Sequence, residues 1–172
     1  MMGVLRPFLD RWRLCALTAS AVMLAIAHAF QTFEHLAPCT LCLRQREVYW
    51  VAGTVALVSM VAVRRPGGPR LRAATCWILG LIFLWGAAVA IYHAGAEWKF
   101  WPGPKSCSGA GVADVDAQAL SALMNGAKIK PPACDKAAWV FLGLSMAGWN
   151  ALVSLALAGL SGAAALRERA KR

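Results

Sequence analysis

The sequence LRAATCWILGLIFLWGAAVAIYHA, residues 71–94, is a long apolar segment without Asp, Glu, Lys or Arg after Arg72. A helix needs about 20 such residues to cross the hydrocarbon core of a bilayer. Backbone groups in hydrocarbon must be hydrogen-bonded within the segment, so a segment of this kind crosses as an α-helix. Residues 71–94 therefore predict a transmembrane helix.

Three more apolar blocks share this character, at about residues 12–33, 43–63 and 137–161. Of the 172 residues 59% are hydrophobic, and the mean hydropathy is +0.55, whereas soluble domains are about 45–50% apolar. The predicted fold is all-α, a polytopic bundle of four transmembrane helices that forms a single integral membrane domain over residues 1–172. Two outer loops, at about residues 34–42 and 95–136, connect the helices.

The net charge of +10 is concentrated at one side of this topology. The basic clusters precede the first span, surround the turn between the second and third spans, and follow the fourth: Arg6, Arg11 and Arg13; Arg64, Arg65, Arg70 and Arg72; Arg167, Arg169, Lys171 and Arg172. The opposite side is nearly neutral. The positive-inside rule therefore predicts that both termini are cytoplasmic, and we expect no nucleic-acid binding.

The N-terminus permits a second interpretation, because Ala27-His28-Ala29 follows basic and apolar residues as in a cleavable signal peptide. The apolar run continues to Phe33, which is long enough to span. We expect the segment to remain as the first transmembrane helix.

The outer loops carry four of the six cysteines: Cys39, Cys42, Cys107 and Cys134. This topology puts all four on the oxidising side of the membrane, where disulfides form and persist. Cys15 and Cys76 lie inside predicted spans, and we expect them to be small packing residues.

The Cys39-x-x-Cys42 motif begins the second span. A thiol at a helix N-terminus has a lowered pKa, as in thiol-disulfide oxidoreductases, but the same spacing occurs in zinc sites and structural bridges. Arg46 shares a helical face with Cys42, where it would favour a thiolate or bind a carbonyl oxygen of a flat acceptor. Tyr49 and Trp50 are predicted at the headgroup level.

The second outer loop has features of a tethered arm. Ser106-Cys107-Ser108-Gly109 is a flexible setting, and apolar residues at helical spacing between Asp114 and Lys130 predict a short amphipathic surface helix. A purely structural disulfide between Cys107 and Cys134 is an alternative to a redox role.

The motifs together resemble the disulfide bond formation protein B (DsbB) family of quinone-linked thiol oxidases of the bacterial inner membrane. The resemblance covers nearly the whole chain. It is carried by Pro38-Cys39-x-Leu41-Cys42-x-x-Gln45-Arg46, by Cys107 and Cys134, by residues 139–150 (WVFLGLSMAGWN) and by residues 92–104 (YHAGAEWKFWPGP). Some members have an acidic residue where Gln45 stands.

The resemblance implies two redox-active disulfides, Cys39–Cys42 and Cys107–Cys134, that act in series. A reduced periplasmic thioredoxin-like partner, DsbA, would attack Cys107 to form a transient mixed disulfide and release Cys134. Cys39 would then exchange with Cys107, which passes the electrons to the first pair. The active cysteines would be periplasmic.

The resemblance also implies the electron acceptor, a membrane quinone (ubiquinone or menaquinone). Cys42, as a thiolate beside Arg46, would reduce it, and His93 matches a histidine that the family has near the quinone. Whether the partner is a general DsbA or a dedicated paralogue stays open.

Three other classes remain as alternatives. His28 and His93 lie near the outer ends of spans and would suit a bis-histidine haem. The spacing His35-x3-Cys39-x2-Cys42 would suit a zinc-binding structural protein, although no resident metal is expected. A vitamin-K-epoxide-reductase-like protein does similar chemistry, but its loop cysteines are arranged differently.

Overall fold

The computed structural model describes residues 2–64, 68–104, 121, 124 and 134–171. The described helices and strands follow in the order α1 (Met2–Asp10), α2 (Trp12–Phe33), α3 (Thr40–Ala62), α4 (Gly68–Glu97), β1 (Val140–Phe141), β2 (Leu144–Ser145) and α5 (Met146–Ala170). Cys107 lies outside the described residues. The surface helix predicted between Asp114 and Lys130 also lies outside them, except for Ser121 and Met124, which are helical.

Three helices of the described part are long and apolar enough to cross a membrane: Trp12–Phe33, Leu71–Glu97 and Met146–Ala170. Helix α3 has 23 residues, but its first two turns carry the charged residues Arg44, Arg46 and Glu47. A helical membrane protein is therefore confirmed. The fourth span, which would be α3, stays a prediction.

The helices pack with α4 against α5 and with α3 between α2 and α4. Small residues fill these contacts, and they include fully buried alanines and serines: Ala16, Ala52, Ala56, Ala164, Ser20, Ser154 and Ser161. Small side chains let helix backbones approach closely, which is the usual way helices associate in lipid. Large apolar side chains point outward instead, as Leu81, Trp85 and Leu155 do.

The last helix begins later than the sequence predicts, at Met146 instead of near residue 137. Residues 140–145 form a hairpin, with Val140 paired to Ser145. Its two turn residues, Leu142 and Gly143, both have positive φ (50° and 77°), as a tight two-residue hairpin requires. The Ser145 side chain then accepts the Gly148 N–H at 3.1 Å, and this N-cap sets the start of the helix.

Helix α4 ends in a Schellman motif that turns the chain back on itself. The Phe100 N–H donates to the Gly95 carbonyl at 2.9 Å and the Lys99 N–H to the Ala96 carbonyl at 3.2 Å, with Lys99 at φ 62°. The Trp101 ring folds over Gly95, where an added Cβ would clash with the ring. This turn closes the C-terminal end of α4 next to the cysteine motif.

Candidate functional site

Cys39 and Cys42 lie at the N-terminus of α3, and Cys39 is the N-cap residue of that helix. The Cys39 sulfur accepts the Cys42 backbone N–H at 3.3 Å, and the two sulfurs lie within hydrogen-bond distance, 3.1 Å apart. Both cysteines are free in this structure. The motif thus presents two neighbouring thiols that have different surroundings.

His93, near the C-terminal end of α4, joins this pair. Its Nε2 lies 3.6 Å from the Cys39 sulfur and 3.6 Å from Oε1 of Glu97, one helical turn later. His93 is only 3% exposed. The other carboxylate oxygen of Glu97, Oε2, is buried without a hydrogen-bond partner among the described residues. The site therefore combines two sulfurs, an imidazole and a carboxylate.

A chain of buried polar side chains supports His93 from behind. The Gln45 amide bonds Nδ1 of His93 at 2.8 Å, and Asn150 Nδ2 donates to Gln45 Oε1 at 2.5 Å. The Tyr49 hydroxyl donates to Asn150 Oδ1 at 2.5 Å and lies 3.0 Å from Ser154 Oγ. This chain runs through three helices, α3, α4 and α5, and fixes the imidazole plane.

Tyr49 is buried in the bundle, which the sequence did not predict. It is 4% exposed, whereas the neighbouring Trp50 is 59% exposed; the headgroup level of both residues stays a prediction. Tyr49 faces the bundle because Asn150 and Ser154 on α5 provide hydrogen-bond partners for its hydroxyl, which a buried phenol needs.

The two thiols differ in acidity. The hydrogen bond from the Cys42 thiol and then the bond from His93 lower the pKa of Cys39 to about 4, against the opposing effect of burial. The reduced pair therefore carries its negative charge on Cys39 and keeps a proton on Cys42. The sequence had suggested the reverse, a Cys42 thiolate beside Arg46.

Arg46 makes its hydrogen bonds to α2. Its Nη1 donates to Gln31 Oε1 at 2.6 Å and its Nη2 to the Ala27 carbonyl at 2.9 Å. A guanidinium has five N–H donors, so these two bonds fix its plane and leave other donors for a ligand. The bonds join the C-terminal end of α2 to the N-terminal part of α3.

Cys134 approaches the same end of the bundle. It is buried and disulfide-bonded, and its sulfur lies 3.7 Å from Oγ1 of Thr40, the residue after Cys39. The adjacent Asp135 forms an exposed ion pair with Lys99 at 2.5 Å, which lowers the pKa of Asp135. The described cysteine of the second predicted pair thus lies beside the first pair.

The other predicted histidines lie apart from this arrangement. His28 is exposed, and its Nδ1–H donates to the Leu24 carbonyl at 2.7 Å. His35 is exposed at φ 52°. The donor atoms that lie within 4.8 Å of one another belong to Cys39, Cys42 and His93, so the histidine at the pair is His93 and not His35.

The sequence indicated no role at the site for Gln45, Asn150 or Glu97. Tyr49 was predicted at the headgroup level, without a role at the site. One signal was present, because polar residues inside apolar spans are costly and are usually functional. Gln45 and Asn150 lie inside predicted spans and meet that description, whereas Glu97 lies in the predicted second outer loop. This signal did not show that Gln45 contacts both His93 and Asn150, because Gln45 lies 48 positions from His93 and 105 from Asn150 in the sequence.

Comparison with known proteins identifies the family. The family model described as disulfide bond formation protein DsbB matches residues 10–164. A disulfide bond formation protein B of Dechloromonas aromatica is 31% identical over 138 residues, which is 76% of each chain. Proteins of the same name from Nitrosomonas eutropha and Nitrosospira multiformis are 26% and 28% identical, and the alignments cover 84% and 86% of this chain and 86% of each relative. No solved structure matches significantly.

These matches cover the four apolar blocks and the cysteine motif described above, and they agree with the resemblance read from the motifs. This chain belongs to the DsbB family of disulfide bond formation proteins.

Proposed function

We propose that this protein is a protein-dithiol:quinone oxidoreductase of the bacterial inner membrane. It would reoxidise a periplasmic DsbA-like dithiol oxidase and pass the electrons through two cysteine pairs to a membrane quinone. The proposal rests above all on the closeness of three sulfurs. Those of Cys39 and Cys42 are 3.1 Å apart, and that of Cys134 lies beside Thr40, the residue between them that follows Cys39.

The first exchange takes place at the second pair. A thiolate of the reduced partner attacks Cys107 of the Cys107–Cys134 disulfide, which forms a mixed disulfide and releases Cys134 as a thiolate. The partner's second thiol then displaces Cys107, so that the partner leaves oxidised and two electrons remain on Cys107 and Cys134. Thiol exchange of this kind requires accessible thiolates.

The second exchange transfers these electrons to the first pair. The Cys107 thiolate attacks Cys39 of the Cys39–Cys42 disulfide and frees Cys42, after which Cys134 attacks Cys107 and restores the second disulfide. The position of Cys134 beside Thr40 supports this step.

The quinone is the final substrate. The reduced pair gives two electrons and two protons in the overall reaction, which converts the quinone to a quinol and reforms the Cys39–Cys42 disulfide. Arg46, fixed by Gln31 and Ala27, is suited to donate to a quinone carbonyl. The contact of His93 with the quinone stays a prediction, since its described partners are Cys39, Gln45 and Glu97.

The difference in pKa between the two thiols affects which sulfur can react with the quinone. Cys39 holds the negative charge in the reduced state, and Cys42, with its thiol proton, lies 3.1 Å away. A proton that moves from Cys42 to Cys39 would transfer the thiolate to Cys42, which precedes Arg46 by one helical turn. We propose this exchange as the step that prepares Cys42 for the acceptor.

The direct test combines the purified protein, a quinone and a reduced DsbA-like partner, and follows the quinone absorbance. Each single substitution to serine at Cys39, Cys42, Cys107 or Cys134 should abolish steady turnover. Cys15→Ser and Cys76→Ser should retain it. If Cys107→Ser oxidised the partner at the full rate, the proposed order of the two pairs would be wrong.

A further inference from the structure

The side chains of Cys39, Cys42, His93 and Glu97 are four potential metal ligands in one cluster. We propose that the reduced form binds one zinc ion through the sulfurs of Cys39 and Cys42 and Nε2 of His93, with Glu97 as the fourth ligand, and that this binding stops turnover. The inhibition, though not the metal site, rests on the proposed function.

The distances suit a tetrahedral ion. With zinc–sulfur bonds of about 2.3 Å and zinc–nitrogen bonds of about 2.1 Å, the edges of such a site are about 3.6 Å between sulfur and nitrogen and about 3.8 Å between sulfurs. The Cys39 sulfur and His93 Nε2 are 3.6 Å apart. The two sulfurs, 3.1 Å apart, would have to separate by about 0.7 Å to reach this edge, and charge repulsion between two thiolates acts in that direction.

Glu97 supplies a further ligand that the redox reaction leaves unused. Its Oε1 lies 3.6 Å from His93 Nε2, and Oε2 is buried without a hydrogen-bond partner among the described residues. A buried carboxylate oxygen without a partner is costly, and a cation would satisfy it. The carboxylate lies outside the group of Cys39, Cys42 and His93 atoms that fall within 4.8 Å, so its side chain has to rotate toward the sulfurs.

The buried amide chain allows His93 to become a ligand. Nε2 can bind a metal only when the proton is on Nδ1, and Nδ1 faces the Gln45 amide. A half-turn of that amide would present its oxygen to the Nδ1–H, and the same half-turn at Asn150 would preserve the bond between the two amides. The Tyr49 hydroxyl would then accept from Asn150 and donate to Ser154, which is 3.0 Å away. Metal-bound histidines are usually held in this way.

The site exists in one redox state only. In the Cys39–Cys42 disulfide neither sulfur is a thiolate, and thiolates are the zinc ligands. Zinc would therefore trap the protein after it has taken electrons from its partner and before it reduces the quinone, because both thiolates are then held by the ion.

The test uses cobalt(II) as a spectroscopic substitute and full-length protein in detergent. The Cys107→Ser/Cys134→Ser variant removes the second pair, and a phosphine reductant that is afterwards removed without oxygen keeps the first pair reduced. Addition of Co²⁺ should produce sulfur-to-cobalt charge-transfer bands and tetrahedral ligand-field bands with one ion per chain, and Zn²⁺ should abolish them. The oxidised protein, with the Cys39–Cys42 disulfide, should show neither.

Matched variants identify the ligands. Cys39→Ser, Cys42→Ser and His93→Gln should lose the bands, whereas Cys15→Ser and Cys76→Ser should keep them. Gln45→Leu should weaken binding about 10-fold, the usual effect of losing the partner of a metal-bound histidine, and Gln45→Glu should restore it. A structural role of Gln45 alone would not give that rescue.

Two measurements separate this inference from the proposed function. If the reduced double variant reduces a quinone when dithiothreitol supplies the electrons but shows no sulfur–cobalt bands, the metal site is refuted and the oxidoreductase stands. If the bands appear and no quinone is reduced under any donor, the metal site stands and the oxidoreductase fails. Bands that persist in Cys39→Ser and Cys42→Ser would also refute the site.

Discussion

The sulfurs of Cys39 and Cys42 are unequal because one residue lies before the first turn of α3 and the other within it. Cys39, the N-cap, receives the Cys42 N–H, the Cys42 thiol and the His93 imidazole. Each of these interactions favours the anion. The thiolate is therefore held on Cys39, the residue before Thr40, whose Oγ1 lies 3.7 Å from the Cys134 sulfur.

This inequality predicts how the reduced protein reacts with alkylating reagents. The pKa of Cys39 is about 4, so its thiolate fraction, and its reaction with iodoacetamide, should stay high from neutral pH down to about pH 5 and fall through pH 4. The measurement is the alkylation rate against pH by mass spectrometry, in the Cys107→Ser/Cys134→Ser variant.

Two variants assign the cause. Cys42→Ala should raise the midpoint most, because the hydrogen bond from the Cys42 thiol has the largest effect on Cys39, and His93→Gln should raise it less. A midpoint near the ordinary thiol value of about 8.5 in the parent would contradict the described hydrogen bonds.

Asn150 is the central link of the buried polar chain. It donates to Gln45 and accepts from Tyr49, both at 2.5 Å. Replacement by leucine would leave the Gln45 carbonyl and the Tyr49 donor to find other partners within an apolar bundle.

Asn150→Leu should therefore destabilise the protein by about 1–2 kcal/mol and slow quinone reduction, because His93 loses its support. Thermal unfolding in detergent measures the first effect and quinone absorbance the second. Leu152→Ala, on the exposed side of the same helix, should leave the rate unchanged. If Asn150→Leu reduced the quinone as fast as the parent, the polar chain would have no role in quinone reduction.

At the scale of elements, the contact between α3 and α4 depends on a glycine. A Cβ added at Gly86 would meet Val48 Cγ1 at 2.8 Å, and Val48 is buried. A valine in a helix has one strongly preferred rotamer, so it cannot turn away easily. Gly86 thus lets α3 lie close enough for Gln45 to reach His93.

Gly86→Ala should lower stability by about 1–2 kcal/mol through overpacking, despite alanine's higher helix propensity. The double variant Gly86→Ala/Val48→Ala should recover most of the loss, and thermal unfolding measures both. Gly159→Ala, where nothing lies within 4 Å of the added Cβ, is the control and should be neutral or stabilising. If the double variant were as unstable as Gly86→Ala, the contact with Val48 would not be the cause of the lost stability.

The start of α5 shows how one element sets the position of a site. The hairpin at residues 140–145 occupies sequence that an uninterrupted apolar run predicts as helix. Because the helix starts at Met146, Asn150 lies in its second turn, level with Gln45 and His93. The hairpin also provides the Phe141 carbonyl that accepts the Trp149 indole N–H at 3.0 Å.

At the scale of the whole molecule, α3 determines the topology. With α3 as a span, both termini lie on one side, and without it they lie on opposite sides. The basic clusters at both ends and at Arg64 favour the first arrangement. At that end Asp10 is joined to Arg167 at 3.0 Å and to Lys171 at 2.5 Å, which ties α1 to α5.

Reporter fusions test the arrangement in cells. Alkaline phosphatase, which is active only in the periplasm, should be active when fused after Pro104 and inactive when fused after Arg64 or after Arg172. Green fluorescent protein should give the complementary result. An active phosphatase after Arg172 would mean an odd number of spans and would place the C-terminus outside.

The sequence alone was enough to predict a helical membrane protein and to single out its Cys-x-x-Cys motif. Apolar length and the distribution of arginines are properties of consecutive residues, so they indicate helices and orientation without any tertiary contact. The Cys-x-x-Cys spacing is equally local, and the motifs around it carried the family resemblance that comparison confirmed.

Only the tertiary structure shows which side chains contact Cys39 and support that contact. His93 reaches Cys39 across 54 positions of sequence, and Asn150 reaches Gln45 across 105. No periodicity links residues that far apart, because their meeting depends on how the helices are rotated and how closely small residues let them pack. For the same reason the sequence indicated a Cys42 thiolate, whereas the packed N-terminus of α3 puts the charge on Cys39.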